Sequence, residues 1–147
     1  MQEFLQVLRK MEIAGGVSEE KVRAAEQTLG VTFPPAYRHF LLEHGAAFGM
    51  GFQLAGLFAG SENKEAPPMW RDIVSATQGT RRYAPGVPHA WLRISDDGAD
   101  LAFYLDANDA AAAPVIALGP GVDNHVVAAS FEEFVVKMAR DELDLPT

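Results

Sequence analysis

Apolar positions in this chain recur at helical spacing toward both ends and at alternating spacing through much of the middle. Val22, Ala25 and Leu29 share one helix face, and Gly30 supplies the left-handed residue that commonly ends a helix. Pro35 fits the first turn of a second helix and biases Pro34 away from helical geometry, so the restart is sharp. Tyr37, Phe40 and Leu41 then line one face, and Gly45 closes the element. Phe4, Leu5, Leu8 and Met11 predict a helix at the N-terminus, and Phe131, Phe134, Val135 and Met138 predict one near the C-terminus. Ser18 ahead of Glu19 and Glu20 places a hydroxyl cap and two acids at a helix start, where they complement unpaired N–H groups and the dipole. Ser130 and Glu133 have the spacing of a capping box, in which the two side chains satisfy helix-end donors reciprocally.

Between these helices the period changes. Residues 52–58 (FQLAGLF) predict a first strand, weakened in its middle by Gly56. Residues 61–68 are polar and turn-like, and Pro67-Pro68 introduces Met69, Trp70, Ile73, Val74 and Thr77, spaced for a helix that ends by Gly79. Residues 90–95 predict a strand, Asp97-Gly98 is a hairpin cue, and residues 101–106 set Leu101, Phe103 and Leu105 against Ala102 and Tyr104. Residues 115–118 predict another strand, and a short one is expected at 125–128 after the turn at 119–124. The expected fold is α+β: N-terminal and C-terminal helices flank a small, mostly antiparallel sheet built from 52–58, 90–95, 101–106 and 115–118. At 147 residues, the length fits a single domain spanning 1–147.

The segment from Val22 to Gly45 resembles the SUKH superfamily, which includes the fungal Smi and Knr cell-wall assembly regulators and many bacterial immunity proteins. The resemblance rests on Leu29-Gly30, Phe33-Pro34, Tyr37, Phe40-Leu41 and Gly45, and it resumes at Ala129, Ser130 and the Phe131 to Phe134 run that opens the last helix. Residues 94–106 look like the family's central hairpin. His44 departs from the pattern, because many relatives carry Asn before the closing Gly. The resemblance covers roughly residues 18–140. It implies recognition of a protein partner, with neutralisation of a cognate bacterial toxin as the leading function and a regulatory or scaffold role as the second.

Twelve Lys and Arg against twenty Asp and Glu give a net charge of −8. Such a chain repels phosphate backbones, so nucleic acid is not an expected partner, and a basic protein such as a toxin domain is. The absence of cysteine excludes disulfide scaffolds, thiol nucleophiles and cysteine-based metal sites, and it fits a reducing, cytoplasmic setting. The N-terminus lacks the basic-then-apolar run of a secretory signal. The longest uncharged run, residues 45–61, is shorter than the ~20 apolar residues of a spanning helix, so no membrane partner is expected. The oligomeric state is left open.

Catalytic chemistry finds no foothold. His39, His44, His89 and His125 form no closely spaced pair for a metal. Asp106, Asn108 and Asp109 begin like a calcium loop, but Ala111 and Ala117 stand where that loop needs Gly and Glu. No nucleophile elbow or phosphate-cradling loop occurs, so no cofactor is expected. Asp96, Asp97 and Asp100 crowd one hairpin turn, where Asp ordinarily bonds the local backbone, and that reading is favoured; a small-molecule enzyme using one of them as acid or base, or a bound cation, is the alternative. Trp70, Tyr83 and Trp91 lie in or beside connections, where aromatics serve either as packing or as anchors in a protein interface. The candidate partner-binding residues are Trp70, Tyr83, Asp96, Asp97 and Asp100.

Replacing Ser130 by Ala removes the acceptor that starts the last helix, at an expected cost of about 1 kcal/mol. In urea unfolding the midpoint should fall at unchanged slope. An unchanged midpoint would rule out a stabilising cap at that position.

Overall fold

The computed structural model describes residues 2–60, 70–109, 111–143 and 145. Along them run α1 (Gln2–Arg9), β1 (Glu12–Ile13), α2 (Glu19–Leu29), α3 (Pro35–Glu43), β2 (Ala47–Gly49), β3 (Phe52–Leu54) and α4 (Ile73–Tyr83). The second half continues with β4 (Trp91–Asp96), β5 (Ala102–Asp106), β6 (Val115–Gly119), β7 (Val122–Ala128) and α5 (Phe131–Ala139). The α+β class expected from the pattern is the class found.

The caps act as their residues predict. Ser18 accepts from the Lys21 N–H at 3.2 Å, and Gly30 ends α2 in the left-handed conformation. Ser130 accepts from the Glu133 N–H at 3.1 Å. Glu133 reaches back to the Ala129 N–H at 2.9 Å, one residue before the usual reciprocal donor of a capping box. The Lys137 ammonium and the Ala129 N–H hold the Glu133 carboxyl below its ordinary range.

Two antiparallel sheets replace the single expected one, β1-β2-β3 and β4-β5-β6-β7. The strand expected over 52–58 stops at Leu54. Beyond it the Ala55 N–H donates to the Ile94 carbonyl at 2.8 Å, and the Ser95 hydroxyl donates to the Gln53 carbonyl at 2.6 Å, so β3 and β4 are stitched without forming one ladder. Gly56 then turns away to make a parallel bridge with Asp72. β1 and β2 are two and three residues long, too short for any alternation to show in the sequence. β7 is longer than expected, beginning at Val122.

The helix expected from Pro67-Pro68 also differs, and its expected opening at 67–69 lies outside the described residues. α4 starts at Ile73 because Asp72 caps it, accepting from the Val74 and Ser75 N–H groups at 2.7 and 3.0 Å. It runs through Gly79 to Tyr83. Glycine costs a helix interior only ~1 kcal/mol, and Thr77 and Thr80 are buried on either side of it. Thr77 accepts from the Arg93 N–H at 3.2 Å, and Thr80 shares a hydrogen bond with the Tyr104 hydroxyl at 3.3 Å. Tertiary bonds thus carry the helix past its weakest residue.

The core lies between the helices and one face of the four-stranded sheet, where Leu92, Ile94, Phe103, Leu105 and Val115 point. Tyr37 is at its centre. Its ring meets Phe33, Phe40 and Phe131 at 5.5, 5.9 and 5.2 Å between centroids, and Phe131 also meets Phe4 at 5.8 Å. The Tyr37 hydroxyl donates to the Ala55 carbonyl at 2.6 Å in this fully buried setting. The opposite face of the sheet has its own small cluster of Trp91, Ala102, Tyr104 and Ile116, with Val87 packed against it.

Tyr37→Phe should cost about 1–3 kcal/mol, because it leaves the buried Ala55 carbonyl without its donor. Burial, with a smaller contribution from the Asp72 charge, raises the Tyr37 pKa well above the usual tyrosine value near 10. The unfolded chain therefore loses this proton before the folded one, and the stability held below pH ~10 is lost as pH rises beyond it. Denaturation between pH 9 and 11 should show a steeper decline for the natural protein than for Tyr37→Phe. Equal slopes would mean that this phenol is not held neutral by the fold.

Candidate protein-binding surface

The hairpin joining β4 and β5 carries three of the five candidate residues, and the fold uses them differently. Asp96 is half-buried: its carboxylate accepts from the Gly98 N–H at 2.8 Å and the Gln53 side-chain amide at 3.2 Å, with Arg93 at 3.9 Å. Asp97 accepts from the Ala99 and Leu101 N–H groups at 2.9 and 3.1 Å. These bonds form the turn, as Asp side chains do where they replace a backbone acceptor. Asp100 is exposed, and among the described residues its carboxylate has neither hydrogen bond nor ion pair. The three carboxylates share a turn, but only Asp100 is wholly uncommitted.

The aromatic candidates separate along α4. Trp70 is half-buried two residues before the helix cap; the neighbouring Arg71 carbonyl accepts from the Gly56 N–H at 2.8 Å. Arg71 and Asp96 line one small cleft, so Trp70 lies on the Asp96 side of the molecule. Tyr83, at the other end of the helix, is 81% exposed, with the Arg82 guanidinium 5.9 Å from its ring centroid. Trp91 stands where the strand expected over 90–95 begins: it opens β4, is buried, and packs 5.8 Å from Tyr104.

Chemistry of other kinds is spent on structure. The Asp106 and Asp109 carboxylates accept from the Asn108 and Ala112 N–H groups, closing local turns. Among the described residues no three His, Asp or Glu side chains converge to hold a metal ion, and no helix is long and apolar enough to cross a membrane. Burial lowers the His44 pKa, its ring lying 5.9 Å from that of Phe40. Arg38 bridges from α3 to Glu19 and, at 3.7 Å, to Glu26 on α2. Its hydrogen bond and charge hold the Glu19 carboxyl below the ordinary range. Glu26 also accepts from the Phe33 N–H at 2.8 Å, so this network positions the α2–α3 connection.

A model of the SMI1 / KNR4 family (SUKH-1) matches residues 16–137, most of the chain and every element from α2 to the body of α5. The chain belongs to this family. No curated protein matches it. The SUKH-1 residues legible in the sequence are structural: Leu29, Phe33, Tyr37, Phe40, Leu41, Phe131 and Phe134 are all buried in the core. Gly45 adopts φ +78°, and a Cβ there would overlap the Gly15 and Leu57 carbonyl oxygens. At His44, the departure from the family pattern, φ is −126°, and it is Gly45 that takes the left-handed conformation. The residues that carry the resemblance are therefore those of the core and its turns. What the sequence reading missed is Asp123. It lies just after the β6–β7 turn, at the same end of the sheet as the 97–101 turn, and only strand topology reveals that proximity.

Asp97→Ala should cost about 1 kcal/mol by removing the acceptor of two turn hydrogen bonds, whereas Asp100→Asn should change stability by no more than about 0.5 kcal/mol. Urea unfolding of the two variants separates them. Equal losses would show that Asp100 also belongs to the turn.

Proposed function

We propose that this chain is a protein-binding module that binds and neutralises a cognate toxin, engaging it through Trp70, Tyr83 and the Asp96, Asp97 and Asp100 hairpin. Membership of the SUKH-1 family carries this reading, since the family is generally non-enzymatic and acts through protein contacts. The electrostatics agree with it. A net charge of −8 favours a basic partner, and Asp100 is free to face one. Asp96 and Asp97 contribute charge to the same end while their oxygens hold the turn. An acid–base role for this trio is disfavoured, because two of the three carboxylates are engaged by backbone N–H groups. A regulatory or scaffold role is the competing reading, since the matching family is the one named for the SMI1 and KNR4 proteins.

The deciding experiment pairs the chain with a toxin encoded beside its gene. Cells producing that toxin should survive only when this chain is co-produced, and the two should co-purify. Survival without the chain would favour the regulatory reading. With the purified pair, association should slow as salt rises, because the Debye length falls from about 10 Å at 0.1 M to about 3 Å at 1 M, while dissociation changes less. Asp100→Asn should slow association and flatten that dependence. An association rate indifferent to salt would remove electrostatic steering from the account.

A further inference from the structure

Two grooves on the described surface differ in how their charges are matched. The larger, about 780 Å³ between α1 and α5, is rich in carboxylates, but Glu3 pairs with Arg140 and Glu133 pairs with Lys137, each at 2.8 Å. Charge there is largely internal. The smaller, about 340 Å³, lies between residues 84–88 and the β6–β7 hairpin. Val87 and Leu118 line it and also pack against the outer-face cluster of Trp91, Tyr104 and Ile116, which gives it a fixed apolar floor. Asp123 stands on its wall, exposed, with neither hydrogen bond nor ion pair among the described residues.

The surroundings extend this asymmetry. The Asp100 backbone is close to Gly119, where an added Cβ would come within 2.8 Å of the Asp100 carbonyl oxygen, so Asp100 and Asp123 belong to one end of the sheet. Tyr83 directly precedes the lining residue Ala84 and is 81% exposed; Val126 follows two residues after the lining residue Asn124 and is 54% exposed. Both segments that line this groove thus lead within two residues into a large apolar side chain left open to solvent. The Arg82 guanidinium lies 5.9 Å from the Tyr83 ring centroid.

Resting on the protein-binding reading, we infer that this groove is the partner's seat, and that it takes an apolar side chain flanked by Lys or Arg on a basic protein surface. The apolar group covers Val87 and Leu118, Tyr83 packs over it as the aromatic anchor, and Asp123 with Asp100 receives the neighbouring cation. Aromatic anchors beside a dry apolar pocket are where interface energy concentrates, and rim charges set the encounter rate.

The first test needs no partner. Acetyl-Lys-Leu-Lys-amide is titrated at low salt into the ¹⁵N-labelled protein, with acetyl-Glu-Leu-Glu-amide as control. The basic peptide should shift the amides of Gly86, Val87, Leu118 and Asp123, the acidic one should not, and Asp123→Asn should weaken the basic peptide about threefold. Equal shifts from both peptides, or shifts centred on the α1–α5 groove, would overturn the assignment. In the second test, with the co-purified toxin, Tyr83→Ala should raise the dissociation rate about tenfold, and Asp123→Asn should lower the association rate. A complex indifferent to both exposed-site variants would overturn the seat while leaving the protein-binding reading intact. Failure of the toxin to need or bind this chain would strike that reading, and the peptide shifts report on the groove regardless.

Discussion

A phenol hydroxyl with no access to water holds this fold at its centre. Tyr37 donates to the Ala55 carbonyl across 18 residues of sequence while its ring packs among Phe33, Phe40 and Phe131. One side chain thereby joins α3, the chain leaving β3, and α5. The bond matters because both of its ends are buried: a carbonyl left unpaired there would have no water to turn to, and a phenolate would have to shed its hydration. Nearby, Gly56 meets the Gly45 carbonyl so closely that a Cβ would overlap it, and Leu57 donates to Gly45 at 3.0 Å. Those backbone crossings bring Ala55 within reach of Tyr37.

Charge is sorted by the same architecture. Where helices must be held at fixed angles, the charges are matched: Arg38 with Glu19 and Glu26 between α2 and α3, and Arg140 with Glu3 between α1 and the end of α5. At the turn end of the four-stranded sheet, Asp100 and Asp123 are left unmatched by any described cation, while Asp96 and Asp97 sit beside them as turn formers. Exposed ion pairs contribute little to stability. The unpaired carboxylates therefore cost the fold little, and they remain available for electrostatic contact with another molecule.

The sheet's two faces divide labour in parallel. One closes the main core, and the other carries the small cluster of Trp91, Ala102, Tyr104 and Ile116, with Val87 and Leu118 packed against it. Thr77 and Thr80 are buried because α4 bonds to β4 and β5 through hydroxyls instead of apolar contacts alone. α4 ends at Tyr83, the most exposed of the large apolar side chains among the described residues.

Much of this was legible from residue order, because local rules are written locally. Helical periodicity, Gly30, Pro35, the Ser18 and Ser130 caps and the Asp97-Gly98 turn depend on neighbours a few positions away, and each formed as its chemistry requires. The α+β class and the family resemblance follow from the same signals, since the recognisable residues are those of the core. Contacts between distant segments decided the rest. Leu54 ends its strand because Gly56 is drawn against Gly45; α4 survives Gly79 because Thr77 and Thr80 bond to the sheet; β1 and β2 exist only because each finds a partner. The surface was the least legible part. Whether an aspartate closes a turn, as Asp97 does, or stands free, as Asp123 does, depends on which N–H groups lie within hydrogen-bonding distance, and that is settled by the path of the whole chain.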